Sequence, residues 1–287
     1  MSVLFSTGSL YGLPYHLAFR LASAAGCDGV ELVLDPWSLM AGPNAVRQYG
    51  HRMACPIRAL HPSLFGLPGW RTAPEAFPRL AEWALALECP LVVVHPPRFS
   101  GLAENIRLFD QGLASFRRVA GEEVVIGLEN SAVFFERDRQ HPYVWPERVA
   151  AFALERGMPV VFDTTHAAST GLGLVEAYDQ VAGLVRHVHL SDFRQPHAWL
   201  DRPSLDTYFK HHQLPGEGEL DLASFFRRLE EDGYSGAVTV EVSPVALRIW
   251  RPSLATQLLR HSVDMVRGWR AVGGQATPVL PLRDAAS

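Results

Sequence analysis

The chain has 287 residues, 48% of them hydrophobic and 20% charged, a balance that excludes a disordered polymer and supplies enough apolar mass for a sizeable core. Its 26 basic and 30 acidic side chains leave a formal charge of −4, so no long-range field draws it to nucleic acid or to an anionic membrane surface. The opening residues MSVLFSTGSLYG hold no basic segment ahead of an apolar run, and nowhere does an apolar stretch approach the ~18 residues of a membrane span; cytoplasmic residence is the default expectation.

In chain order, a short apolar run at 2–6 reads as a strand and is followed by PYHLAFRLASAAG, whose apolar spacing is helical and whose last glycine suits a helix C-cap. A second strand is expected at 28–34, with Glu31 on it, and a third at 56–61, ending in His61. The helical pattern PEAFPRLAEWALALE precedes a fourth strand at 90–95, ending in His95. NIRLFDQGLASFRRVAG then leads to a fifth at 123–129, ending in Glu129, and WPERVAAFALERG to a sixth at 159–163, ending in Asp163. A seventh at 185–190 carries His187 and His189, and DLASFFRRLEEDG precedes an eighth at 236–241, ending in Glu241.

Eight strands alternating with helices match a single closed α/β barrel of the (β/α)8 type, the TIM barrel, spanning residues 1–272, with 273–287 as a tail expected to fray. No GxGxxG follows the first strand and no linker divides the chain, which argues against an open dinucleotide-binding sheet. Cys27, Cys55 and Cys89 lack CxxC spacing and each precedes an apolar run, so all three read as small buried hydrophobes.

The polar residues fall where such a barrel does chemistry. His61, His95, Glu129 and Asp163 are spaced 34, 34 and 34 residues apart, each at the C-terminal end of its strand. Alternation along the strands puts Gly127, Val161 and Thr239 on the same inward face as Glu129, Asp163 and Glu241. Burying several carboxylates and imidazoles together is costly unless a cation pairs them. Glu129, Asp163, His189 and Glu241 offer three carboxylates and one nitrogen, a set suited to one divalent metal, Mn, Mg, Co or Zn. His61 and His95 admit a second metal with Glu129 bridging, or orient a substrate, and His166 and His212 lie on loops just beyond their strands. His187, one layer deeper, is expected to be structural. Arg194 and Asp192, past His189, either cap and ion-pair locally or contact substrate. Phe65, Trp70 and Trp199 either form an apolar lid or pack their loops down.

The set GCDGVEL, HP, VVVHP, GLEN, FDTTH, HVHLSD, LPGEG and VEVSP resembles the xylose-isomerase-like barrels, a family of sugar isomerases and epimerases, inosose dehydratases and the endonuclease IV group. The resemblance runs from about residue 3 to 270. It implies one metal on Glu129, Asp163, His189 and Glu241, with Glu129 and Glu241 as an acid/base pair that moves a proton α to a carbonyl through an enediolate. It implies a small sugar or keto-acid substrate, with His166 on a hydroxyl and Glu31 as a further contact. A related dehydratase or lyase, by the same proton abstraction, an endonuclease IV-like metallophosphodiesterase with an incomplete trinuclear site, and a non-catalytic sugar-binding barrel are the alternatives. The endonuclease pattern asks for a third metal on His166 and on an Asp-x-His before the glycine loop. Here that histidine is His212, and Lys210, the one lysine of the chain, stands where the aspartate belongs. An ammonium cannot ligate a cation, so a complete trinuclear site and a nucleic-acid substrate are disfavoured. Lys210 itself reads either as a grip for a substrate phosphate or carboxylate or as an exposed loop residue.

Overall fold

The structure, a computed structural model, describes residues 1–197 and 199–271. Eight parallel strands close into a barrel in sequence order: β1 (Val3–Ser6), β2 (Gly29–Val33), β3 (Ile57–His61), β4 (Leu91–Val94), β5 (Val125–Glu129), β6 (Val160–Asp163), β7 (Val185–Leu190) and β8 (Ala237–Val240). Each lies within two residues of its expected bounds. The amphipathic stretches form the outer helices Tyr15–Ala25, Ala73–Leu87, Leu102–Ala120, Pro146–Glu155 and Leu222–Glu231, and Pro252–Ala271 completes the ring. The expected tail at 273–287 lies outside the described residues.

Two layers of side chains hold the barrel together. Residues on the outer face of the strands, such as Phe5, Leu32, Leu60, Leu128 and Phe162, pack against Phe19, Leu80, Phe116 and Phe225 of the helices in one apolar core. Cys27, Cys55 and Cys89 are buried, free thiols within it. By alternation the inner face carries Leu4, Ala59, Val93, Gly127 and Val161 below and the polar strand ends above. Gly127 is small for a reason: a Cβ there would stand 2.9 Å from Val161 Cγ2.

Register brings the polar ends to one level. Glu129 pairs with Val161, so Asp163 stands two residues further along β6; Asp163 pairs with His189 directly; His189 pairs with Thr239, so Glu241 is again two residues further. Inward residues can step only by even numbers, and alternating steps of two and none average about one residue per strand, the stagger that closing such a barrel requires. Among the described residues no helix is long and apolar enough to cross a membrane.

Candidate functional site

Glu129, Asp163 and His189 are almost completely buried at the strand ends, and Glu241, next to β8, retains 17% side-chain exposure. His189 Nδ1 lies 2.9 Å from Glu241 Oε2, 3.4 Å from Glu129 Oε1 and 4.0 Å from Asp163 Oδ2. Its other nitrogen, Nε2, is 2.9 Å from Glu31 Oε2. A neutral ring donating Nε2–H to Glu31 turns the Nδ1 lone pair toward three carboxylates. That arrangement is repulsive unless a proton or a cation sits among them.

The orphaned atoms point the same way. Glu129 Oε2, Asp163 Oδ2 and His189 Nδ1 are buried without a hydrogen-bond partner, and one ligand atom from each of Glu129, Asp163, His189 and Glu241 fits within a 4.8 Å cluster. Three oxygens and one nitrogen, with an outer carboxylate fixing the imidazole tautomer, suit a divalent cation. With a proton in its place, the charges shift accordingly. Burial alone raises the carboxyl pKa of Glu129, but His189 and then His95 pull it well below 4.5. Burial lowers the pKa of His189, but Glu31, Glu241 and Glu129 together hold it well above 6.5.

A second group shares Glu129. His61 Nδ1 is 2.7 Å from the Pro62 carbonyl, which fixes its proton there and leaves Nε2 facing Glu129 Oε2 at 3.5 Å and His95 Nε2 at 3.1 Å. His95 Nδ1 is 3.7 Å from the same oxygen, and its side chain is 47% exposed, open to a bound molecule. His166 donates Nδ1–H to the Asn130 carbonyl at 2.9 Å and sits 3.2 Å from Glu129 Oε1. His212 adopts a left-handed backbone, φ +53°, and its ring stands 5.6 Å from that of His166, with Nδ1 3.3 Å from Ser191 Oγ. A cavity of about 630 Å³ opens beside this group, with His95 and His166 in its wall. A smaller one, about 360 Å³ and lined by Arg186, Asp232 and Tyr234, lies at the opposite end of the strands.

Glu31, Lys210 and Arg194 each have partners within the protein. Glu31, read as a substrate contact, is fully buried beneath His189, where Oε2 accepts from His189 and from His187 at 3.1 Å; the layer below the mouth claims it. Lys210 sits 3.3 Å from Asp201 Oδ1 and 5.8 Å from the centroid of the Phe193 ring, so its charge is answered within its own loop. Arg194 donates to Gln213 Oε1 at 3.2 Å, part of the short antiparallel contact between residues 192–194 and 210–213. Asp192 is a local anchor: its carboxylate accepts from the N–H groups of Phe193, Gly216, Gly218 and Leu220 at 2.8–3.0 Å.

Two supporting residues escaped the sequence reading. Ser6 donates to Glu241 Oε1 at 3.3 Å. Asn130 grips the Asp163 backbone with both side-chain atoms, at 2.8 and 3.1 Å. Asn130 follows Glu129 within GLEN, which was a usable signal; nothing in LFSTGS marks Ser6.

The profile of the xylose isomerase-like TIM barrels matches residues 19–267. The chain belongs to that family. Among relatives, an uncharacterised protein of Mycobacterium tuberculosis is 26% identical over 85% of this chain and 89% of its own. Three solved structures share the fold. A 3-keto-D-glucoside 4-epimerase from E. coli superposes with a TM-score of 0.67 at 18% identity, covering 93% of this chain and 99% of that one. A D-psicose 3-epimerase from Clostridium cellulolyticum H10, with D-tagatose, gives 0.68 at 14% over 93% and 99%. An AP endonuclease, family 2, from Brucella melitensis gives 0.62 at 18% over 85% and 94%. As a xylose isomerase-like barrel, the chain has its polar cluster at the end of the strands where such barrels work.

Proposed function

We propose that this protein is a divalent-metal-dependent epimerase or isomerase of a small keto sugar. The observation that carries the reading is the pair Glu129, at the end of β5, and Glu241, just past β8, with oxygens converging on one histidine nitrogen beside a substrate-sized cavity. Glu129, Asp163, His189 and Glu241 would hold the cation, and His61 and His95 with Glu129 would hold a second. When bound, the cation polarises the substrate carbonyl and acidifies the adjacent C–H.

The side chains then divide the work. One glutamate takes the α-proton, and the other delivers a proton to the opposite face or the neighbouring carbon. In the cation-free protein burial opposes ionisation of both carboxylates, but the surrounding histidines, His189 first, together hold them below the usual range. In turnover the glutamate that takes the α-proton enters ionised, and the one that delivers enters protonated, its proton drawn from solvent. Ser6 fixes one oxygen of Glu241, and His166, whose Nδ1–H is committed to Asn130, has Nε2 left for a substrate hydroxyl. The sugar epimerases among the structural neighbours support this reading, and Lys210, turned to Asp201, disfavours a third metal and with it a phosphodiesterase.

The test is solvent exchange. Ketohexoses and 3-keto glycosides incubated with Mn-loaded protein in D2O should gain deuterium at the α-carbon, followed by NMR. Glu241→Gln should lower the rate by at least about 100-fold, the range for a lost general base. Exchange at the wild-type rate in Glu241→Gln would sink the acid/base assignment. Loss of the substrate's hydroxyl as water after exchange would instead identify a dehydratase.

A further inference from the structure

The cavity beside Glu129 has two unlike ends. At the inner end the rings of His95 and His166 stand against the two oxygens of Glu129; at the outer end are Arg98 and Arg137. Between them Pro96, Phe134 and Val144 make much of the wall apolar, with Ser131 and Gln140 as its neutral polar side chains.

Both guanidinium groups have donors to spare. Among the described residues neither makes a hydrogen bond or ion pair through its side chain: Arg137 rests over the Phe135 ring, 4.7 Å from its centroid, and Arg98 is engaged only through its backbone carbonyl, by Asn105. The one acidic residue of the wall, Asp138, commits Oδ2 to the N–H groups of Phe134 and Phe135, at 3.1 and 2.8 Å. The two loops that carry the arginines are tied together before any ligand arrives. His141 Nε2 lies 3.0 Å from the Pro97 carbonyl, and the His141 ring is 5.7 Å from that of Phe99.

Charge then orients whatever enters. At the reacting end Glu129, Asp163 and Glu241 face the cation they would hold, and Glu31 lies beneath them; the arginine end offers an anion unpaired protein donors. Guanidinium forks pair with phosphate or carboxylate through two donors.

We propose that this cavity is a subsite for an anionic group, phosphate or carboxylate, carried by the part of the substrate beyond the reacting carbons, with Arg98 and Arg137 as its donors. The proposal rests on the Glu129 cluster being the reacting centre. It moves the anion grip from Lys210, which Asp201 already answers, to the loops after β4 and β5.

Two measurements test it. Inorganic phosphate is titrated by 31P NMR into Mg-loaded wild type and into the Arg98→Gln/Arg137→Gln double variant. Both arginines are exposed, so the fold should tolerate the change. Wild type should bind at least about tenfold tighter, the loss expected for charge-assisted hydrogen bonds. The titration is repeated on chelator-treated protein, where no cation can take the phosphate; equal affinity of wild type and double variant there overturns the subsite whatever the turnover shows.

In the second measurement, exchange in D2O is compared for a ketohexose, its terminal phosphate ester and its terminal carboxylate. The preferred anion names the source, and the preference for it over the neutral ketose should fall about tenfold in the double variant. An unchanged preference overturns the assignment. If none of the three exchanges while phosphate binding still depends on the arginines, the anion site stands and the epimerase reading falls.

Discussion

Glu31 is the residue on which the ring of ligands depends without touching it from the cavity side. It accepts from His187 and His189 with one oxygen, Oε2, and Thr239 Oγ1 backs His187 at 2.8 Å, so the tautomer and tilt of His189 are set from below. Glu31→Gln keeps the volume and one acceptor oxygen for the two imidazoles but removes the negative charge that backs His189. Manganese affinity measured by calorimetry should fall about 10–100-fold, the usual cost of losing such an outer partner, with the far-UV dichroism unchanged. Equal affinity would show that Glu241 alone orients the ring. This role was half legible. The sequence placed Glu31 on a strand beside the ligands, but its depth depends on the irregular register between Val30 and Glu31 of β2 and their β3 partners, which no pattern of residue types records. Lys210 teaches the converse: being unique in composition marked it out, and its position answers to Asp201.

At the scale of elements, strands and loops differ in what sequence reveals. A parallel barrel strand is a short apolar run closed by a polar residue, and its inner face repeats every second residue, so His61, His95, Glu129 and Asp163 were legible from one chain. The loops are fixed by contacts far apart in sequence. His212 reaches the site because residues 192–194 pair with 210–213 and because Asp192 gathers the N–H groups of Gly216, Gly218 and Leu220. Gly218 is required there, since a Cβ would stand 2.3 Å from Asp192 Oδ1. Asp192→Ala strands these donors in a buried setting, and each charge-assisted bond contributes about 1.5–3 kcal/mol. Hydrogen exchange should show residues 211–220 losing protection while the barrel strands keep theirs; unchanged protection would mean that the loop is held by its apolar contacts, Leu214 and Leu220.

For the whole molecule the cluster is both a site and a charge problem, because strands β5 to β8 all end in it. Without a cation, protons must hold it together. For His166, burial lowers the pKa, but Asp163 and Glu129 raise it to about 9, and His189 is raised further by its carboxylates. A histidine raised above its ordinary 6.5 stabilises the fold fully below that value, and the contribution is lost as pH rises through the folded pKa, about 9 for His166. Glu129 and Glu241 are lowered from 4.5, so their contribution is full above that value and lost as pH falls. His95 is the opposite case, lowered by burial to about 4, so its contribution is lost as pH falls below 6.5. From this cluster, cation-free protein should be most stable near pH 6.5 and should weaken toward pH 9. A cation needs the opposite state of His189, deprotonated at Nδ1, so its affinity should climb with pH and its binding should release protons. Melting temperatures with chelator and with manganese, taken from pH 6 to 9, should therefore diverge, and at about 100 times Kd the cation should add about 2.7 kcal/mol. Parallel curves across that range would mean that the cation does not compete with the proton on His189, and that the ligand set converging there is wrong.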